Sequence, residues 1–237
     1  MFTLSLNKLL VKLFKVKFTR ARPTFDNARN HLIMSNEIDL VLDGGANRGQ
    51  WSTEIRREFP GIPVISVEPI LAAYQELEII ASEVGNWSTL NVALGENTGT
   101  STMNVANNGE QSSSLLQPDN HLNYYPTVEF ITTQETKVIT LDSIDVKNAS
   151  RIFLKLDLQG NELPALKGAT KLLRKVKAIE LEMTTVQMYK DQATFLEIAS
   201  YLADHGFAVF SFADAFRGVD GQSIYVDVLF NRNNDDQ

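Results

Sequence analysis

From residue 38 onward the chain alternates short apolar runs with segments whose apolar residues recur every three or four positions. Short runs rich in Val, Ile and Phe, bounded by Gly, Pro, Asn or Asp, read as strands. That rule predicts strands over 38–42, 64–67, 89–94, 151–158, 177–183, 208–212 and 225–230. The longer period predicts helices over 51–59, 71–84, 162–175 and 194–205. Pro164 falls in a first helical turn, where a missing N–H costs nothing. His205 and Gly206 supply a cation and a glycine stop at the end of the last helix. Strands alternating with helices give an α/β fold with a mostly parallel sheet.

Two stretches break the alternation. Residues 95–144 are rich in Ser, Thr and Asn, with 103–105 and 137–140 as short extra strands, and an insertion of that length reads as a lid or substrate wall. Residues 1–36 form an N-terminal arm in which lysines interleave with Leu9, Leu10, Leu13, Phe14 and Phe18, the pattern of a basic amphipathic helix. Lysines inside the apolar run argue against a secretory signal. The arm either packs on the body or makes peripheral contact with an anionic membrane through residues 1–22. The body is one domain over 37–231, followed by a polar tail.

Composition narrows the chemistry. The 237 residues are 43% hydrophobic and 22% charged, enough for a sizeable core. With no cysteine there is no disulfide, thiolate zinc site or cysteine nucleophile, which suits a reduced, cytoplasmic setting. No run approaches the roughly 18–20 apolar residues of a spanning helix. Residues 1–35 hold Lys8, Lys12, Lys15, Lys17, Arg20, Arg22 and Arg29 against Asp26 alone, so the body is more acidic than the net charge of −7 indicates. Such a body repels phosphate, and no nucleic-acid partner is expected.

The sharpest local signal is Val41-Leu-Asp-Gly-Gly-Ala-Asn-Arg-Gly-Gln50, at the end of the first strand and opening a helix. Ligands of open α/β sheets sit at the carboxyl ends of strands, where glycines let the backbone approach them. Asp43, Gly45, Asn47 and Gly49 follow a D-x-G-x-N-x-G spacing, and Asn is the non-glycine residue that best tolerates a left-handed turn. A dinucleotide fold is the competitor, although Gly44, Ala46 and Gly49 only degrade the G-x-G-x-x-G pattern. Asp43 would repel a pyrophosphate and suits a cationic ligand such as S-adenosylmethionine. Glu68, ending the second strand, fits a ribose in either ligand.

The runs VLDGGANRGQWS, ISVEPI, LNVALGENTGTSTMNV, SSSLL, TLDSI and LKLDLQGNELPALKGA, in that order across residues 40–182, resemble the FkbM family of S-adenosylmethionine-dependent methyltransferases. The resemblance implies a class I methyltransferase (Rossmann-like) sheet of seven strands with an antiparallel last strand, and usually O-methylation of a sugar, polyketide or other small acceptor. It places Asp43, Gly45, Asn47, Gly49 and Glu68 at cofactor positions and sets Asn91, Val92 and Ala93 near the adenine. Gln50 and Ser113, the latter in the Ser112–Ser114 cluster, complete the candidate cofactor set.

A central parallel strand is covered on both faces and should be apolar throughout. Lys155 and Asp157 violate this in 151–158, two apart and therefore on one side. Glu180 and Glu182 repeat the anomaly in the next strand. Lys155 and Asp157 read as a catalytic pair with Glu182 as neighbour, or as a structural ion pair. Asp157 is the favoured base or acceptor-orienting group. A divalent metal between Asp157 and Glu182 is a weaker reading than a hydrogen-bonded acceptor site, so no metal is assigned. Asn161 reads as a helix N-cap. His121, followed by Tyr124 and Tyr125, is either a surface histidine or a sugar contact; His31 carries no argument. The expected activity is methyl transfer from S-adenosylmethionine to a hydroxyl of a saccharide, glycolipid or other small molecule. An NAD(P)-dependent oxidoreductase and a non-catalytic cofactor-binding module are the alternatives.

Overall fold

Strand β1 (Leu40–Gly44) is buried along its whole length, and so is its neighbour β7 (Ile152–Leu156). Their side chains alternate between two cores. Leu40, Leu42, Ile152, Leu154 and Leu156 enter one, whereas Val41 and Phe153 enter the other. The computed structural model describes residues 23–233. The basic amphipathic stretch over residues 1–22 and the last four residues lie outside the described residues.

Around β1 and β7 the main sheet adds β2 (Val64–Val67), β3 (Trp87–Leu90), β8 (Val176–Thr184), β9 (Phe207–Phe212), the two-residue β10 (Phe216–Arg217) and β11 (Ser223–Arg232). The order is β3-β2-β1-β7-β8-β11, with β9 and β10 both on the far side of β11. Strands β3 to β8 along this order are parallel, and β11 runs antiparallel to β8 and β9. The reversed last strand is the one the resemblance implies. Helices α1 (Phe25–Ser35), α2 (Gln50–Glu58), α3 (Leu71–Ser82), α5 (Glu162–Lys167) and α6 (Phe195–Asp204) cover the sheet, and α4 (His121–Tyr124) lies in the insertion. His205 and Gly206 (φ +81°) close α6 as expected. No helix among the described residues is long and apolar enough to cross a membrane.

Three segments depart from the sequence reading. The strand expected over 89–94 breaks at Asn91-Val92, and β4 (Ala93–Leu94) leaves for a second sheet of order β4-β6-β5. That sheet, with β5 (Gly99–Ala106) and β6 (Phe130–Ile139), extends the short strands expected at 103–105 and 137–140 well beyond those bounds. Its threonines are β-branched and favour strands, although their polarity had suggested turns. The helix expected over 162–175 stops at Gly168. A Cβ there would lie 2.4 Å from the Gly95 carbonyl oxygen, so the chain must pass too close for any side chain. The Asp142 carboxylate then takes the N–H groups of Lys171 and Leu172 and starts a separate short turn.

Helix α1 lies within the span read as the arm, and it packs on the sheet, one of the two arrangements expected of that span. Thr24 caps it by accepting from the Asn27 N–H, while the Asn27 side chain accepts from Thr24 N. On its buried face Arg29 donates to Glu180 in β8 at 2.6 and 3.3 Å, and its guanidinium lies 5.5 Å from the Trp51 ring centroid. The Trp51 indole N–H donates to the same carboxylate. Removing one member of a buried pair costs about 3–5 kcal/mol, because the other charge is stranded. Arg29→Met should therefore lose about that much in urea unfolding, and Arg29→Met with Glu180→Met should recover much of it. Equal destabilisation of both proteins would mean that packing, not charge, holds α1.

Candidate active site

The turn after β1 is built around Gly45, whose φ is +76° and whose Cβ would lie 1.9 Å from the Asp157 carbonyl oxygen. The ends of β1 and β7 meet there so closely that only glycine fits. The N–H groups of Gly45 and Ala46 both donate to the Val67 carbonyl, tying the turn to β2. Asn47 takes a left-handed φ of +47°, and its N–H donates to Glu68 Oε2 at 2.8 Å. Glu68 Oε1 accepts from the Ile70 N–H at 2.8 Å. Burial raises the Glu68 carboxyl to about 7 despite these two donors.

Two adjoining cavities open from this turn. The smaller, about 90 Å³, is bordered by Gly45, Asn47, Glu68, Val92, Ala93 and Ser113, all members of the expected cofactor set, with Leu94 and Met103 adding apolar wall. The larger cleft, about 530 Å³, is bordered by Gln50, Lys155, Asp157 and Glu182 among the expected residues. Gly45, Asn47, Asp157 and Gln159 border both and mark where they join. The insertion closes over the turn, with Asn47 and Arg48 donating to the Gly109 carbonyl and Arg48 pairing with Glu110 at 2.7 Å.

Asp43, Gly49 and Asn91 border neither cavity. Asp43 was expected to face a cationic ligand; it is instead fully buried beneath the turn. Its Oδ2 accepts from Ser52 Oγ at 2.7 Å and its Oδ1 lies 3.4 Å from Lys155 Nζ. Because Ser52 gives its proton to Asp43, Ser66 must donate to Ser52, and the Trp87 indole N–H donates to Ser66. Asp43 is thus neutralised by lysine and cannot discriminate between ligands as expected. A Cβ on Gly49 would meet Leu77 at 2.8 Å, so that glycine serves packing. The Asn91 amide donates to the Glu68 and Pro69 carbonyls and pins the exit of β2.

Sheet register arranges the charges in two rows. In the inner row Asp43, Lys155 and Glu180 are direct neighbours across β1, β7 and β8, with Arg29 on Glu180. Signs alternate along it. Burial alone would lower the Lys155 ammonium, but the carboxylates of Asp43, Asp157, Glu180 and Glu182 outweigh it and raise it, so the lysine stays charged. Asp43, not Asp157, is its nearest carboxylate; Asp157 Oδ2 is at 3.7 Å. The outer row, one pleat nearer the strand ends, holds Asp157, Glu182 and Asp227, the last two directly opposed in register. Burial, then Asp157 and Asp227, raises Glu182 well above the carboxylate range, and burial raises Asp227 to about 6.

Gln159 bridges the outer row. It adopts φ +52°, donates to Asp157 at 2.8 Å and Glu182 at 3.0 Å, and accepts from the Tyr189 hydroxyl. Its turn is held by Glu162, which takes the N–H groups of Leu158 and Gly160, while Asn161 is no side-chain cap and donates to the Leu94 carbonyl. His121, weighed as a surface residue, is buried at 1% exposure among Tyr125, Phe130 and Tyr189. His31 stacks on Phe210, away from the cleft. Sequence reasoning missed Arg29, Trp51, Tyr189, Tyr225 and Asp227 in the cleft wall. Only Asp227, an acid between buried valines, carried a readable signal.

Residues 43–209 match the family model described as the methyltransferase FkbM domain. No curated protein matches the chain. Among solved structures it is similar to magnesium protoporphyrin IX methyltransferase from Synechocystis PCC 6803, at 10% identity over 98% of this chain and 97% of that one, TM-score 0.49. It is also similar to precorrin-6y C5,15-methyltransferase from Geobacter metallireducens GS-15, at 13% identity over 91% and 93% of the chains, TM-score 0.46. These likenesses are too remote to assign chemistry.

The two rows respond differently to mutation. Lys155→Met strands a fully buried Asp43 and should cost about 3–5 kcal/mol in urea unfolding, whereas Asp157→Asn, partly open to the cleft, should cost under about 1 kcal/mol. Similar losses in both would return Lys155 and Asp157 to a single structural pair. The raised Glu68 carboxyl makes a second expectation. The folded protein holds a proton there that the unfolded chain releases near 4.5, so this group's contribution to stability falls as pH rises from about 4.5 to about 7. The melting temperature of Glu68→Gln should therefore gain on the wild type across that window, and a constant difference would refute the raised value.

Proposed function

The chain belongs to the FkbM methyltransferase family, and on that footing we propose that it moves the methyl group of S-adenosylmethionine, the donor this family uses, to a hydroxyl oxygen of a saccharide or other small acceptor. The observation that carries the reading is Asp157, a carboxylate open at once to the small cavity and to the cleft. The donor set fits the cofactor. Glu68 has acceptor capacity left for ribose hydroxyls, and Val92, Ala93, Leu94 and Met103 offer apolar surface to a base. Gly45 and Asn47 bring the backbone of the turn to the border of both cavities.

S-adenosylmethionine, when bound, supplies a methyl group made electrophilic by its sulfonium. The protein's part is to align an acceptor oxygen, and such positioning contributes up to ~7–11 kcal/mol. Asp157 accepts the hydroxyl proton as the oxygen becomes nucleophilic, a role worth ~10²–10⁴-fold. Gln159 holds that carboxylate from one side and Lys155 from the other, which fixes its orientation. Carboxylates along the cleft disfavour an acceptor presented on a phosphate backbone.

Calorimetry should show S-adenosylhomocysteine binding, weakened at least tenfold or so by Glu68→Ala through loss of charge-assisted hydrogen bonds. Asp157→Asn should lower turnover by ~10²–10⁴-fold with affinity for S-adenosylhomocysteine within a few fold of wild type. Product NMR should place the new methyl group on oxygen. A methyl group on nitrogen or carbon, or full turnover by Asp157→Asn, would sink the proposal.

A further inference from the structure

The cleft holds more open hydrogen-bond acceptors than methyl transfer requires. Among the described residues the Asp227 carboxylate makes no hydrogen bond and no ion pair, although it borders the cleft. Glu182, directly opposite it in register, receives only the Gln159 amide. Two carboxyl groups directly opposed across two strands repel once both ionise, so the pair holds either a proton or a cation between them. Both cations of the cleft are committed elsewhere, Lys155 to Asp43 and Asp157, Arg29 to Glu180 and Asp26. His121 adds an independent sign of a ligand: its ring borders the same cleft, the residue is 1% exposed, and its Nδ1 is buried without a partner.

We propose that the acceptor is an amino sugar whose ammonium group sits between Glu182 and Asp227, a deepening that rests on the hydroxyl-methylation reading above. An ammonium brings three donors and no acceptor, matching a site whose open groups are acceptors. Aromatic faces complete the seat. Tyr125 and Tyr225 border the cleft, each stacked on Phe216 at 5.8 and 5.1 Å, and a cation over such faces is attracted by the ring quadrupole. A neutral sugar hydroxyl donates to one carboxyl oxygen at most and brings no charge that lets both acids ionise. Two carboxylates also keep the proton on the amine, so its nitrogen has no free lone pair and a neighbouring hydroxyl remains the nucleophile.

The test titrates glucosamine, N-acetylglucosamine and glucose into the full chain at neutral pH, with and without S-adenosylhomocysteine. Glucosamine should bind about tenfold or more tightly than either neutral sugar, and Glu182→Gln or Asp227→Asn should erase most of that margin. Both substitutions relieve repulsion and keep side-chain shape; should one fail to fold, the other decides. Equal affinities, no binding of any of the three, or an undiminished margin in both variants would overturn the ammonium seat. Because the sugars are also ranked without the cofactor product, failure to bind S-adenosylhomocysteine counts against methyl transfer and leaves the ranking to decide the seat.

Discussion

A buried lysine shared among carboxylates is the constraint on which this site depends. Lys155 lies in the central strand of the sheet, where desolvation works against any charge. It persists because β1 and β8 deliver Asp43 and Glu180 to either side of it by register. One oxygen of Asp43 in turn accepts from a chain of hydroxyls ending at Trp87, while the other faces Lys155.

That arrangement separates structure from chemistry by a single pleat. Inner-row charges alternate in sign and pair with one another; the outer row holds only carboxyl groups and faces open volume. A strand's period of two residues is what makes this separation sharp, since Lys155 and Asp157 share a face and differ by one step along it. Gly45 then fixes the distance between the rows and the cofactor turn, because the Asp157 backbone sits where its side chain would be.

Much of this was legible in the chain. The parallel alternation, the glycine turn, Glu68 and the charged central strand each follow from a rule about what a buried strand or a left-handed turn tolerates. Only short pieces of the second sheet were legible, because Thr132, Thr133 and Thr136 satisfy strand and loop composition alike. Asp43 was assigned to the ligand because a sequence shows charges but not their partners: Ser52, Ser66 and Lys155 come from three different elements. Arg29 lay in a stretch read only as a basic amphipathic arm, and the fold reveals that it answers Glu180.

Asp227 shows what a fuller reading requires. The rule applied to Lys155 and Glu182, that an acid or base inside an apolar strand needs a reason, applies equally to Asp227 between Val226 and Val228. Its reason cannot be found on its own strand, because the reversed direction of β11 is what sets it opposite Glu182. A parallel last strand would have offset the two acids differently and dissolved the outer row. The antiparallel β11 therefore closes the cleft chemically as well as sterically, adding the third carboxyl group to a surface that β7 and β8 only begin.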